Sequence, residues 1–170
     1  MTTGNSSGRS SVHPRTPRTE QAPPFLVRFI AGGCFTGYFP FAPGTVGSAL
    51  ALALYCFIPG MERWQTLLPL CAASLLAGIP LASRMERSYG PDPSAVVLDE
   101  IAGMWVALLF LPKIWYISIG AFLLFRAFDV VKPPPARQFD RMRGGFGIMM
   151  DDIVAGVYAN ICTQLLRIVV

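Results

Sequence analysis

The sequence is poor in the side chains on which most catalytic and structural centres depend. Among its 170 residues there is one histidine, His13, and the four cysteines lie singly in apolar surroundings with no C-x-x-C pair. This argues against a zinc site and a disulfide framework, and the cysteines are interpreted as small buried apolar side chains. A lone histidine also excludes Ser-His-Asp and Cys-His centres and argues against a phosphatase with a histidine nucleophile.

Charge is also scarce. Charged residues make up 14% of the chain and hydrophobic residues 53%, whereas about 25% charged residues is usual in soluble domains. The mean hydropathy is +0.49. These values exclude a disordered chain and argue strongly against a soluble globular domain, and the length fits one compact unit. We therefore predict an integral membrane protein. The net charge of +4 is interpreted as a signal of membrane orientation, and nucleic acid is not predicted as a partner.

The first 24 residues differ from the rest. They are rich in Ser, Thr, Pro and Arg and have almost no large apolar side chain, so residues 1–24 are predicted to be a disordered tail. They contain no apolar run of the kind that a cleavable signal peptide needs. Residues 25–170 are predicted to form a single membrane-embedded helical domain without internal repeats.

The predicted fold of that domain is an all-α polytopic bundle. It has about five spanning helices and a short N-terminal helix over residues 25–38 that is interfacial or re-entrant. A turn at 41–44 precedes the first span, Pro80 is expected to kink the second, and a Pro-, Arg- and Gly-rich loop occupies 132–146. The predicted spans cover residues 45–58, 64–83, 95–111, 114–131 and 147–170.

Basic residues predict the orientation, because cytoplasmic loops carry an excess of Lys and Arg. If the N-terminal tail is cytoplasmic and helix 25–38 does not cross, the far side holds only Arg63, Lys113 and Arg167. The cytoplasmic side then holds Arg9, Arg15, Arg18, Arg28, Arg84, Arg87, Lys132, Arg137, Arg141 and Arg143. If helix 25–38 does cross, the contrast weakens, so this point stays open.

This orientation brings acidic and basic residues to one depth near the cytoplasmic face. Ionisable residues at such depth are expensive and usually functional. Clustered carboxylates repel one another unless a divalent cation is bound, and Mg²⁺ prefers oxygen ligands. The two cations are suited to phosphate oxygens. The residues concerned are Asp99, Glu100, Asp129, Asp151 and Asp152 with Arg126 and Lys132.

Carboxylates, Mg²⁺ and cations at a membrane face indicate phosphoryl chemistry on a lipid headgroup. The sequence contains no Walker A motif, no D-x-D-x-T/V run of a phosphoaspartate phosphatase and no D-G-x-x-A-R run of a CDP-alcohol phosphotransferase. Metal-activated water is therefore the most economical nucleophile, with one carboxylate as general base.

Each of these groups also has a simpler interpretation. Asp151 and Asp152 could serve only as complements of a helix macrodipole. The Asp99–Glu100 pair could be solvated near the interface, and Arg126 with Asp129 could form a structural pair at spacing i,i+3. It is much less probable that all three are incidental together.

Two glycine-containing segments and one charged segment are also open to more than one interpretation. Residues 144–147 are either a flexible linker or a loop that presents backbone N–H groups to phosphate at a helix start. Residues 43–45 are most simply a turn with Thr45 as the helix N-cap. The charged residues of 137–143 are interpreted as a solvated face toward anionic lipid headgroups.

Four blocks of this sequence resemble the bacterial phosphatidylglycerophosphatase A family. They occur in the right order and spacing, and the resemblance covers roughly residues 25–165. Pro134 and Leu98 replace aromatic residues usual in the family, which affects headgroup packing more than catalysis. The blocks are F-A-P-G-T-V-G-S at 41–48, D-E-I-A-G-M-W at 99–105, F-R-A-F-D-V-V-K-P at 125–133 and G-G-F-G-I-M-M-D-D-I-V-A-G at 144–156.

The resemblance implies Mg²⁺-dependent hydrolysis of the terminal phosphomonoester of phosphatidylglycerophosphate in the bacterial inner membrane. By motif, it implies that Asp99, Glu100, Asp129, Asp151 and Asp152 act as metal ligands or base. Arg126 and Lys132 would hold phosphate, and Thr45, Gly144 and Gly145 are further candidates for substrate contact. Which carboxylate is the base, how many metal ions bind and what the oligomeric state is stay open.

Two other classes of function compete with a lipid phosphatase. One is a transporter or channel that uses intramembrane carboxylates as an ion or proton relay. The charges cluster near one face and do not line a path across the membrane, which argues against it. The other is a membrane scaffold that packs through Ala155, Gly156 and Ala159, which leaves the acidic residues unexplained.

Overall fold

A computed structural model describes residues 22–169, and this part of the chain consists of helices and the loops that connect them, without a strand. The all-α prediction is therefore confirmed for these residues. Residues 1–21 of the predicted disordered tail lie outside the described part. The helices are α1 (Phe25–Ala31), α2 (Pro43–Phe57), α3 (Trp64–Tyr89), α4 (Leu98–Leu108), α5 (Trp115–Val131), α6 (Ala136–Asp140) and α7 (Gly145–Val169), with a 3-10 helix at Thr36–Tyr38.

Two helices are long and apolar enough to cross a membrane. They are α3, with 26 residues and a mean hydropathy of 1.7, and α7 over Gly145–Ile168, with 24 residues and 1.2. Only 22% of the apolar window of α3 is buried, which fits a lipid-facing helix better than the core helix of a soluble protein. The predicted count of five spans is not confirmed by helix length. The 11 residues of α4 extend roughly 16 Å, about half the hydrocarbon thickness.

Several predicted boundaries are wrong, and backbone geometry gives the reason. The first helix ends at Ala31 because Gly32-Gly33 follows and Cys34 and Phe35 take left-handed φ values of 56° and 68°. At its C-terminal side, α4 stops at Leu108 because Phe110 also has positive φ, 62°. The helix α3 is longer than predicted, since it continues six residues past position 83, to Tyr89. A further helix, α6, lies within the predicted loop 132–146.

The short helix α4 lies at the centre of the bundle. It packs against α2, α3, α5 and α7, and α7 also contacts α3, α5 and α6. The backbones of α4 and α7 meet at two glycines. A Cβ added to Gly103 would lie 2.5 Å from the Asp152 carbonyl oxygen, and one added to Gly156 would overlap the Gly103 carbonyl oxygen. Small residues permit such close approach of two helices, which fixes the middle of α4 against α7.

Side-chain donors hold the C-terminal end of α4 and the segment after it. The last carbonyl groups of a helix lack partners within it. Asn160 Nδ2 donates to the carbonyl oxygens of Ala107, at 3.0 Å, and Leu109, at 2.7 Å. Tyr55 Oη donates to the Leu111 carbonyl oxygen at 3.0 Å. The central helix is thereby anchored at one end, and its two acidic residues lie at the other.

Candidate active site

Three carboxylates from two helices converge at one end of the bundle. Asp99 and Glu100 lie in the first turn of α4 and Asp152 lies on α7. One oxygen atom of each lies within 4.8 Å of the others, and we call these three residues the acid cluster. Asp99 is 7% exposed and Asp152 3% exposed. The interpretation of Asp99 as a solvated interfacial residue is therefore wrong.

The position of the acids on α7 also decides between two interpretations. The helix begins at Gly145, two residues earlier than predicted, and its first turn contains no acidic residue. Asp151 and Asp152 therefore lie beyond the first turn, to which the effect of the helix dipole is largely confined. Complementing the macrodipole does not explain them. Both side chains are buried, so their placement needs another cause.

The α5 residues connect the acid cluster to α2. Arg126 Nη1 lies 2.8 Å from Asp129 Oδ2, so the pair expected at spacing i,i+3 forms. The same guanidinium nitrogen donates to Ser48 Oγ at 3.3 Å, and that hydroxyl donates to the Gly44 carbonyl oxygen at 2.8 Å. Asp129 lies near enough to Asp152 for their charges to interact. Arg126 is thus held in place beside the acids by groups from two helices.

Lys132 lies between two carboxylates on the other side. Its Nζ is 2.6 Å from Asp151 Oδ2 and is also paired with Asp140 at the end of α6. Burial lowers the pKa of Lys132, but the ion pairs with Asp140 and Asp151 outweigh this effect and leave its pKa above the ordinary value. The ammonium group is therefore charged at neutral pH, and Asp140 is a site residue that the sequence interpretation missed.

Two carboxylate oxygens at the site lack partners. Within residues 22–169, Glu100 Oε2 and Asp151 Oδ1 are buried and accept no hydrogen bond. A buried, unsatisfied acceptor costs about 1–3 kcal/mol, and more when it is charged. A divalent cation bound by the acid cluster would remove this cost at Glu100 and the repulsion among the three carboxylates. The donor set therefore fits Mg²⁺.

The N-terminus of α2 approaches the acid cluster closely. The helix begins at Pro43 with Ala42 as N-cap, so the prediction of Thr45 as the cap is wrong. Thr45 lies within the first turn instead. A Cβ on Gly44 would overlap Glu100 Oε1 and lie 3.4 Å from Arg126 Nη1. Gly44 and Ser48 were not predicted as site residues, although small residues at i and i+4 mark one helix face where close approach is possible.

Replacing Gly44 by alanine is expected to lower kcat/KM by roughly 10- to 100-fold, because small misplacements of a reacting group are costly. The new methyl group displaces the Glu100 carboxylate, and the backbone needs no adjustment for a helical alanine. The phosphomonoester hydrolysis that the sequence resemblance implies and thermal unfolding should be measured on the same preparations. Gly120→Ala is the matched control, since a Cβ there meets nothing within 4 Å. Wild-type kinetics in Gly44→Ala would show that the position of Glu100 does not matter.

At the start of α7, the backbone N–H of Gly145 is not free to bind phosphate, whereas the role expected for Gly144 stays a prediction. The Gly145 N–H donates to Ser83 Oγ at 2.8 Å, and a Cβ at this position would overlap the Ile79 carbonyl oxygen. Gly145 therefore packs the start of α7 onto α3, and its N–H has a protein partner. Gly144 has a φ of 95° and forms the turn before the helix. A Cβ there would meet nothing within 4 Å.

Comparison with known proteins gives a consistent result. The family model described as Phosphatidylglycerophosphatase A matches residues 29–167. Proteins named phosphatidylglycerophosphatase A from Escherichia coli and Haemophilus influenzae are 39% and 35% identical, over 75% and 79% of this chain and 76% and 85% of their own. A Bacteroides thetaiotaomicron protein, provisionally named phosphatidylinositol-3-phosphatase, is 43% identical over 87% of this chain and 98% of its own. No solved structure matches.

Proposed function

Because the chain belongs to the phosphatidylglycerophosphatase A family, we propose that it hydrolyses the terminal phosphomonoester of phosphatidylglycerophosphate to phosphatidylglycerol and phosphate. The observation that carries the proposal is the acid cluster, whose oxygen atoms lie within 4.8 Å of one another. Two cations, Arg126 and Lys132, lie beside the acids. This combination provides anionic ligands for a metal and positive charge for a phosphate at one place.

The chain's own residues have distinct tasks in this reaction. Arg126 is aligned by Asp129 and Ser48, and Lys132 is aligned by Asp140 and Asp151. Each cation can thus meet a phosphate oxygen without a large rearrangement, Arg126 as a planar fork and Lys132 as a point charge. One carboxylate takes the proton of the attacking water. The water oxygen bonds to phosphorus as the bond between phosphorus and the glycerol oxygen breaks, and that glycerol oxygen takes up the proton held by the carboxylate as the lipid leaves.

Asp99, Glu100 and Asp152 are the residues that would hold Mg²⁺. When bound, the ion lowers the pKa of a coordinated water and neutralises charge on the phosphate. The buried Glu100 Oε2, which has no hydrogen-bond partner among residues 22–169, supports this assignment.

We place the protein in the bacterial inner membrane as a multi-pass protein with its site toward the cytoplasm. The acid cluster, Lys132 and the arginines of the loop after α6 lie at one end of the bundle. The opposite end carries Lys113, which lies 3.7 Å from Glu62 and donates to the Ile58 carbonyl oxygen. The excess of Lys and Arg at the site end supports a cytoplasmic orientation.

Chelation tests the hydrolase proposal directly. Detergent-purified protein is given phosphatidylglycerophosphate with Mg²⁺, then with excess EDTA, then with Mg²⁺ restored. We expect phosphate release to fall by at least roughly 100-fold on chelation, because metal activation of water is lost, and to return with the metal. Release that persists in EDTA would overturn metal activation. No release from folded protein would overturn the phosphatase proposal and favour an ion relay, which flux into liposomes would then reveal.

A second substrate is favoured by one specific observation, the 43% identity to the Bacteroides protein over nearly its full length. That protein's name refers to phosphatidylinositol 3-phosphate, which also carries a phosphomonoester on a polyol headgroup. Parallel measurements of kcat/KM on the two lipids distinguish the candidates. We expect phosphatidylglycerophosphate to be preferred, and the reverse order would assign the chain to the inositol lipid.

A further inference from the structure

A pocket of about 200 Å³ adjoins the candidate active site and takes no part in the reaction proposed above. It lies between the end of α3, the loop before α4, the loop between α6 and α7, and the start of α7. Asp151 forms part of its wall. The same carboxylate is bonded to Lys132, so the pocket lies next to one of the two cations proposed to hold phosphate.

The lining of this pocket has mixed charge. Glu86, Asp92, Asp140 and Asp151 contribute carboxylates, of which the last two are paired with Lys132. The exposed Arg141 and Arg143 contribute guanidinium groups. Within residues 22–169 neither arginine forms an ion pair. Carboxylates accept hydrogen bonds from hydroxyl groups, and guanidinium groups bind phosphate oxygens in pairs. A bare phosphate would be repelled by the acids, whereas a polyol phosphate has partners for both kinds of side chain.

We propose, resting on the function above, that this pocket binds the polyol phosphodiester part of the lipid headgroup. The free hydroxyl of the headgroup lies against the carboxylates and the phosphodiester binds Arg141 and Arg143, while the terminal phosphate lies at the acid cluster. We call this the headgroup pocket. It makes the enzyme selective for phosphomonoesters carried on a polyol headgroup over phosphatidate, whose phosphomonoester is attached to diacylglycerol directly.

The test compares two lipids that share the reacting group and differ in the headgroup. Wild-type protein and the variant Arg141→Gln/Arg143→Gln hydrolyse phosphatidylglycerophosphate and phosphatidate with the same acyl chains in mixed micelles. We expect the variant to raise KM for phosphatidylglycerophosphate roughly 10- to 100-fold, the cost of lost hydrogen bonds to charged groups, with kcat little changed. The kcat and KM for phosphatidate should be the same in the variant and in the wild type. Arg137→Gln is the matched control, because Arg137 is exposed on α6 and does not line the pocket.

Phosphatidylinositol 3-phosphate provides a third arm of the experiment. A KM increase on this lipid and not on the glycerol lipid would identify inositol as the bound polyol and overturn glycerol. Equal losses on phosphatidate and phosphatidylglycerophosphate would show that the arginines attract anionic lipid generally, which overturns the headgroup pocket. Unchanged kinetics in the double variant would overturn it as well.

A binding measurement separates failure of this inference from failure of the proposed function. Glycerol 3-phosphate is titrated into wild-type protein and into the double variant, and heat of binding is recorded. We expect binding to weaken about tenfold or more in the variant, since two charged hydrogen-bond donors are removed. If the wild type hydrolyses neither lipid but binds glycerol 3-phosphate more tightly than the variant does, the proposed phosphatase function is overturned and the headgroup pocket is supported. Equal binding by both proteins overturns the pocket.

Discussion

Replacing Asp152 by asparagine is expected to lower kcat on phosphatidylglycerophosphate by roughly 10²- to 10⁴-fold, the usual range for removing a general base. Asp152 is 3% exposed, belongs to the acid cluster with Asp99 and Glu100, and also lies near Asp129. The amide keeps the shape of the side chain and removes one negative charge. The acid cluster therefore loses a metal ligand or base while its surroundings stay packed.

The same substitution should have the opposite effect on stability in metal-free protein. Fewer like charges within 4.8 Å mean less repulsion in the folded state, so the Tm in EDTA should stay equal or rise. Added Mg²⁺ should raise the Tm of the wild type, because a ligand that binds the native state stabilises it, and should raise that of Asp152→Asn much less. Phosphate release and thermal scans with and without Mg²⁺ measure both effects.

Glu62→Gln serves as the matched control. It removes one carboxylate at the opposite end of the bundle, where Glu62 is exposed and paired only loosely with Lys113. Its kcat, and the response of its Tm to Mg²⁺, should equal those of the wild type. A wild-type rate in Asp152→Asn would show that the acid cluster is not the reaction centre, whatever the outcome of chelation.

The second large effect concerns the contact between α4 and α7. Gly156→Ala should destabilise the fold by about 1–3 kcal/mol, the usual cost of overpacking, and should also reduce activity. Its new Cβ overlaps the Gly103 carbonyl oxygen and approaches Val106 Cβ to 3.2 Å. Because backbone atoms form the obstacle, a side-chain rotation does not relieve it and the helices must separate. Asp152 lies one turn from Gly156 on α7, so this separation moves it away from Asp99 and Glu100.

Thermal unfolding in detergent and phosphate release measure the two consequences of Gly156→Ala. Gly120→Ala, which adds the same methyl group where nothing lies within 4 Å, should retain wild-type stability and rate. Wild-type unfolding of Gly156→Ala would contradict the close backbone contact. Lower stability with full activity would show that the acid cluster does not depend on this contact.

The sequence predicted the long helices well because their signal is local. Uninterrupted apolar runs bounded by Pro, Gly and charges place α2, α3, α5 and α7 within a few residues of where they lie, except that α3 continues to Tyr89. The ends of α4 were less predictable. Residues 95–97 and 109–111 are as apolar as the helix itself, and only a left-handed Phe110 and the packing against α2 and α7 end it.

The acids of the candidate site were predictable, but many of their partners were not. Carboxylates in an apolar chain stand out, and the structure brings Asp99, Glu100 and Asp152 together as expected. Asp140 resembles any exposed acid in sequence until its pairing with Lys132 is known. The sequence likewise does not mark Gly44 as a site residue, because its importance depends on how closely α4, a helix distant in sequence, approaches it. Contacts between segments far apart in sequence have no local pattern from which to infer them.

The origin of the acid cluster in α4 and α7 also determines when it can form during biosynthesis. With 11 residues and two acids in its first turn, α4 is too short to be recognised as a membrane segment by itself. Its packing is complete only when α7, which follows it by more than thirty residues, has been synthesised and packed against it. Asp152, the third residue of the acid cluster, lies on that helix. A ribosome-bound chain that stops before α7 therefore lacks a complete acid cluster.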